Sequence, residues 1–258
     1  MNALTRITQL SAACALTLAA SLAQAQVTID QNKALAGNIT PGDAPGYPIT
    51  ITRPGLYKLV GNLSVPGGTD GIQIAADDVT IDMNGFTLGG SVSCTRNSQT
   101  RVVSCAFGAG FSTGIDSSFK GAFNGFVVRD GTVRGFGQGV RGVEGETLLR
   151  MHITQNEGYG VATAMTFAGM SIIDSIVDLN GSTGIAVGNG LIRGSRVGHN
   201  GKNGIQTSNM IVESSFVMGN KNIGMQSGAA RGVWLLSNGT NRDSVQSLGG
   251  NIDSTVIF

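Results

Sequence analysis

The feature that most constrains this chain is a repeat in its second half. Asn156, Asn180, Asn200 and Asn220 follow one another at spacings of 24, 20 and 20 residues. Four residues after each stands a glycine (Gly160, Gly184, Gly204, Gly224), and directly after it an apolar residue (Val161, Ile185, Ile205, Met225). Three residues before each Asn stand Ile153, Val177, Val197 and Val217. Ile172, Ile192 and Val212 make a further apolar column, and Ser175, Ser195 and Ser215 a polar one. A chain that returns to one pattern at such a period stacks like units, each touching only its neighbours.

The period and the residue types narrow the unit. Twenty residues cannot hold two helices with their turns, and the apolar residues recur singly rather than at helical spacing. A leucine-rich repeat has a similar period but needs a Leu ladder, whereas these columns are Ile and Val. Short strands with one face inward remain, which predicts an all-β solenoid of parallel strands. Its rungs are about 20–24 residues long and stack about 4.8 Å apart. The Asn and Ser columns are then structural ladders, Asn180, Asn200 and Asn220 beside Ser175, Ser195 and Ser215, satisfying backbone groups at the bends. Asn180-Gly181 and Asn200-Gly201 suit a bend with positive φ.

Composition agrees. Glycine supplies 40 of 258 residues and charged residues only 13%. Hydrophobic content of 41% is enough for a core. A formal net charge of +1 and the lack of a basic stripe with interleaved aromatics argue against a nucleic-acid partner.

Four regions are expected. Residues 1–25 read as a signal peptide: a charged start, an Ala-rich apolar run, and Ala23-Gln24-Ala25 as the cleavage signal. Export to the periplasm or the medium follows, without a transmembrane anchor. Cys14 raises a lipoprotein alternative but lacks the Leu expected three residues before it. Residues 26–60 form an N-terminal cap and the first strands. Residues 61–232 form the solenoid, with a Cys-loop insertion at 91–110, and 233–258 a C-terminal cap in which Trp234 and Phe258 pack. Cys94 and Cys105 are expected to form one local disulfide. A metal is disfavoured between them, because the intervening residues hold no His, Asp or Glu.

DVTIDMNGFTLGG (78–90) followed by VRDGTVRGFGQGV resembles exported bacterial proteins of the right-handed parallel β-helix repeat class. The resemblance extends through IDQNKALAGNITPGDAPGYPITITRPGLYKL and the closing SLGGNI. It implies a single-stranded right-handed parallel β-helix of the pectate-lyase-like group, capped at both ends. That group includes pectate lyases, polygalacturonases, alginate epimerases, phage tailspikes and non-catalytic binding proteins, so the resemblance implies a fold and not an activity.

Chemistry must lie on outward residues that do not repeat. A β-eliminating lyase commonly uses a carboxylate-held Ca²⁺ and a basic Arg or Lys, and a glycoside hydrolase uses clustered carboxylates. The residue after each Gly-apolar step makes one outward column: Gln73, Asp116, Arg141, Ala162, Ala186, Gln206 and Gln226. Asp116 and Arg141, with Glu144 and Glu146 on the following loop, are the catalytic candidates. Arg196, His199 and Gln206 are the ligand-binding candidates, with Asp178 near Arg196 and His199. No metal site is expected: His152 and His199 lie on different columns, and Asp77, Asp78 and Asp82 make only a weak case for Ca²⁺, the one cofactor considered. The favoured function is a non-catalytic exported protein that binds a polysaccharide or cell-surface glycan or serves in a surface or matrix. The alternatives are a polysaccharide lyase or glycoside hydrolase acting on an acidic polysaccharide, and an adhesin-like structural protein.

Overall fold

The computed structural model describes residues 26–106, 111–118, 123, 125–164, 169–254 and 256–257. The expectations for residues 1–25, Cys14 and Phe258 lie outside them.

The chain is a parallel β-solenoid with three faces. One rung shows the pattern. Ile185–Ala186 lies on the first face, Asn189–Arg193 on the second and Arg196–Gly198 on the third. The first face is a nine-stranded parallel sheet from Ile49–Ile51 to Thr240–Asp243. The second and third faces count as one eighteen-stranded sheet, because Val127–Arg134 and Glu146–Thr154 run unbroken round the corner between them. Registers join like residues: Val161 pairs with Ile185, Ile185 with Ile205 and Ile205 with Met225. Val177 pairs with Val197 and Val197 with Val217.

These columns are the core. Val161, Ile172, Ile185, Ile192, Val197, Ile205, Val212 and Val217 are wholly buried. Branched side chains suit the site, because each packs flat on its equivalent one rung away.

Polar ladders fill two of the corners. Asn156 Nδ2 donates to Asn180 Oδ1 at 3.0 Å, Asn180 to Asn200 at 3.1 Å and Asn200 to Asn220 at 3.0 Å. Each acceptor oxygen also takes the backbone N–H of the preceding Asn. Ser195 Oγ and Ser215 Oγ each accept the backbone N–H of the serine one rung before, at 3.1 Å. All are buried, so the ladders supply the partners that buried backbone groups require.

The Asn-Gly pairs do not carry the left-handed bend. Positive φ falls one residue earlier, at Gln155, Leu179 and His199. Gly181 is needed for close approach instead: a β-carbon there would sit 2.1 Å from the Glu157 carbonyl oxygen. Gly184 is held to the same standard, with Asn200 Nδ2 2.5 Å from its missing β-carbon.

At the N-terminal end, Val27–Ile29 pairs in parallel with Tyr57–Leu59, and the short helix Gln31–Ala36 buries Ala34. At the other end parallel pairing runs past residue 233. Trp234–Leu236 pairs with Phe216–Met218, and Thr240–Asp243 with Ile223–Gln226. The last rungs tighten to 18 residues, as in Val217 to Leu235, which blurs the sequence period there. Val256–Ile257 then folds back antiparallel on Ile252–Asp253.

The insertion contains a hairpin, Ser93–Arg96 against Val103–Ala106, closed by the Cys94–Cys105 disulfide. It lies along the Asn corner across successive rungs. Cys94 Sγ is 3.7 Å from the Asn156 carbonyl oxygen. A β-carbon at Gly181 would be 2.8 Å from Cys105 Sγ, and one at Gly201 3.3 Å from Val103 Cβ. Arg96 Nη2 reaches the Gly219 carbonyl oxygen at 3.2 Å. Glycines along this corner thus leave the hairpin room to lie flat.

Candidate functional site

The third face carries two outward columns. In one, His152, Ile176, Arg196, Phe216 and Trp234 follow in register; in the other, Thr154, Asp178, Gly198, Met218 and Leu236. The inward residues between them, Ile153, Val177, Val197, Val217 and Leu235, are wholly buried. Strand alternation therefore fixes which side chains face out.

Asp178 is the centre of a charged cluster on this face. Its Oδ1 lies 3.0 Å from His152 Nε2 and its Oδ2 2.7 Å from Arg196 Nη2. Burial alone would raise its pKa. Hydrogen bonds from His152 and Thr154, with the charges of His152 and Arg196, outweigh burial and hold the carboxyl below its usual range. Asp178 thus stays ionised and locks the orientations of His152 and Arg196.

His199 follows directly on the Arg196–Gly198 strand, in the left-handed conformation at φ 58°. That bend turns its ring over Gly219, where a β-carbon would lie 2.6 Å from His199 Cδ2. Arg96, delivered by the disulfide hairpin, bonds the same Gly219. Burial lowers the His199 pKa, and the positive charges of Arg96 and Arg196 lower it further against the opposing pull of Asp178. The imidazole thus favours its neutral form with two guanidinium groups in its electrostatic surroundings, a combination suited to taking a proton near a bound anion.

The other candidates fall elsewhere. Asp116 and Arg141 are register neighbours on the first face, with Gln73 on the far side of Asp116. They line a cleft of about 300 Å³ with Asp70 and Gln138. The column is less open than outward placement implies, because Gln73 and Asp116 are buried. Asp116 Oδ1 accepts from Ser118 N at 2.8 Å and Ser118 Oγ at 2.6 Å, and Asp70 holds Thr113 N and Gln73 Nε2. Asp116 thus braces its own loop and Asp70 ties its loop to the next rung, and among the described residues no ion pair joins Asp116 to Arg141. Glu144 is exposed and does not line the cleft. Glu146 faces inward, accepting from Val143 N, Glu144 N and Ser117 Oγ, and burial raises its pKa. Gln206 lies on the first face in a shallow groove with Tyr159 and Ala186, apart from Arg196 and His199.

Three members of the third-face surface escape a sequence reading. Arg96 lies more than 100 residues from His199 and arrives only through the hairpin. Phe216 occupies the column of Arg196 but carries no polar group to draw notice. Trp234 stands outside the solenoid rather than in a cap, 42% exposed against Phe216 at 45%, with ring centroids 5.4 Å apart. Its signal was its place in the column, masked by the 18-residue period.

Among the described residues no three His, Cys, Asp or Glu side chains converge as a metal site. Asp82, considered for Ca²⁺, is held by Arg129 at 2.8 Å and accepts from Asn84 N at 2.9 Å. Asp82 is thus engaged by Arg129 and Asn84.

No family model and no curated protein sequence matches the chain. Among solved structures, it is similar to the A-module of a mannuronan C-5 epimerase of Azotobacter vinelandii, at TM-score 0.51 and 15% identity, over 86% of this chain and 70% of that one. The chain is a pectate-lyase-like parallel β-helix. At that identity the likeness speaks for the fold. The β-helix has no helix long and apolar enough to cross a membrane among its described residues.

Proposed function

We propose that this β-helix acts on an acidic polysaccharide at its third face, by removing the proton next to a uronate carboxylate. The observation that carries the reading is the cluster around Asp178, whose carboxylate bonds His152 and Arg196 while His199, following on the Arg196 strand, lays its ring over Gly219, the residue that Arg96 bonds. The similarity to a polysaccharide-modifying enzyme of the same fold supports it.

The chemistry follows from the charges. The two guanidinium groups hold the uronate carboxylate. His199 takes the proton from the adjacent ring carbon, and the electron pair moves into the carboxylate, whose added charge the arginines stabilise. From that state the bond to the glycosidic oxygen breaks, with the His199 imidazolium giving its proton to that departing oxygen and an unsaturated ring left behind, or a solvent proton adds from the opposite face and inverts the centre. Hydrolysis fits less well. It needs a protonated carboxylic acid beside a second carboxylate, whereas Asp178 is held ionised and is the only carboxylate bonded to His152 or Arg196 among the described residues.

The test is incubation of the protein with polymannuronate, polyguluronate and polygalacturonate in D₂O. Deuterium entering at the carbon next to the carboxylate, or ultraviolet absorbance from an unsaturated product, is the expected result. Neither signal on any polymer sinks the catalytic reading. The exposed Phe216–Trp234 pair favours glycan binding as such. Saturable binding without exchange therefore leaves a non-catalytic polysaccharide-binding protein.

A further inference from the structure

Phe216 and Trp234 take no part in the proton chemistry, yet they stand in one line with it. They occupy the outward column of His152, Ile176 and Arg196, one and two rungs beyond Arg196. Their neighbours in sequence, Val217 and Leu235, fill the interior, so the rings are not core side chains displaced outward. They form the aromatic pair in contact among the described residues, tilted 45° to each other and about half exposed. Beside them the floor is low and apolar: Gly198 has no side chain, and Met218 and Leu236 are partly buried.

We infer that Phe216 and Trp234 are sugar-stacking positions that extend the Arg196 site by two rungs toward the C-terminal end, for successive pyranose rings of an acidic polysaccharide. The inference rests on the reading of the cluster given above, and deepens it by setting the length and direction of the bound chain.

Three observations commit the surface to this occupant. Continuity is the first: the rings lie on the strands directly following the one that carries Arg196. Charge complementarity is the second, since Arg196 and Arg96 supply cations for carboxylates while the aromatic rungs supply none. Spacing is the third. Rungs repeat at about 4.8 Å, close to the length of one pyranose unit, so a polymer lying across the strands meets one outward residue per sugar. The C–H faces of a pyranose lie well on an aromatic ring while its hydroxyl and carboxylate groups project from the edge into water. The bound polymer thus runs along the solenoid axis, with one acidic group at Arg196 and the next two rings over Phe216 and Trp234.

Trp234 is the single tryptophan of the chain, so its fluorescence reads this surface directly. The experiment titrates the protein with uronate oligomers from disaccharide to hexasaccharide and with neutral oligosaccharides of equal length, and measures affinity in parallel by calorimetry. A saturable change in Trp234 emission with acidic oligomers, and affinity that rises with length through the tetrasaccharide, is the expected result. Phe216→Ala then weakens the disaccharide and the tetrasaccharide alike, by about tenfold, while Trp234→Phe, which keeps a ring, retains most of the affinity. Circular dichroism of both variants confirms the fold.

Calorimetric binding with silent Trp234 emission and unchanged affinity in Phe216→Ala overturns the inference and leaves the reading of the cluster standing. An equal emission change with neutral oligosaccharides overturns the acidic occupant. A full fluorescence response with no proton exchange supports the inference while the catalytic reading falls. No binding of any oligomer overturns both.

Discussion

Two pairs of side chains in this solenoid look alike on paper. Asp116 and Arg141 stand one rung apart on the first face, and Asp178 and Arg196 one rung apart on the third. Their fates differ because of what surrounds each acid. Asp116 sits beside a loop whose Ser118 N–H and hydroxyl need an acceptor, and its Oδ1 meets both. Asp178 sits on a regular strand whose backbone N–H groups are already paired along the sheet, so its carboxylate remains free for His152 and Arg196. Strand regularity therefore makes Asp178 available for electrostatic work, and loop irregularity makes Asp116 a brace.

The comparison breaks most readily at the acids themselves. Asp178→Asn is expected to lower turnover of a uronate polymer by about 100-fold or more, because His152 and Arg196 lose their common anchor. Asp116→Asn leaves turnover within about twofold, since an amide oxygen still serves Ser118. Equal losses in steady-state kinetics would erase the distinction between the two faces.

Stability tests the same contrast from the other side. Asp116→Ala removes the acceptor for two groups of Ser118 and is expected to cost about 1–2 kcal/mol in urea unfolding, without loss of activity.

A smaller effect concerns His199. Burial, then Arg96 and Arg196, place its pKa below the ordinary 6.5. The folded state thus prefers the neutral ring, so its contribution to stability is complete above pH 6.5 and is lost as pH falls through the lower folded value. The acid limb of the activity profile should lie below pH 6.5 as well. Arg96→Ala takes away one positive neighbour and is expected to move both the limb and the His199 titration, followed by NMR, to higher pH. An unmoved titration would mean that the hairpin arginine does not tune the ring.

The smallest effect is expected at Gln206, which lies on the first face away from the cluster. Gln206→Ala should change neither turnover nor stability by more than about 0.5 kcal/mol. A larger change would bring the first face back into consideration.

Much of the fold was legible because a solenoid writes its contacts at a fixed offset. Val177, Val197 and Val217 stack at the spacing that separates them in the chain, and the Ser175–Ser195–Ser215 and Asn180–Asn200–Asn220 ladders follow the same rule. Legibility failed where the offset changed. At the C-terminal end the step from Val217 to Leu235 is 18 residues, so Trp234 dropped out of the column that explains it. The left-handed residues Leu179 and His199 were also missed, because Asn-Gly beside them is the more familiar bend signal. The site was legible only in part. Asp178, Arg196 and His199 share one rung offset and could be placed together, whereas Arg96 could not.

The sequence by itself therefore determined the unit, its period, the buried columns and the disulfide pair, since each depends on residues one rung or one short loop apart. The tertiary structure alone decided which outward residues meet. Arg96 reaches Gly219, on which the His199 ring also lies, because a disulfide hairpin lies flat along a corner cleared by Gly181, Gly201 and Gly219. Glu146 turns inward and Asp116 turns to its own loop because nearby backbone N–H groups lack other acceptors. A repeat fixes the contacts between like positions, but contacts between an insertion and a rung have no period, and only the folded chain shows them.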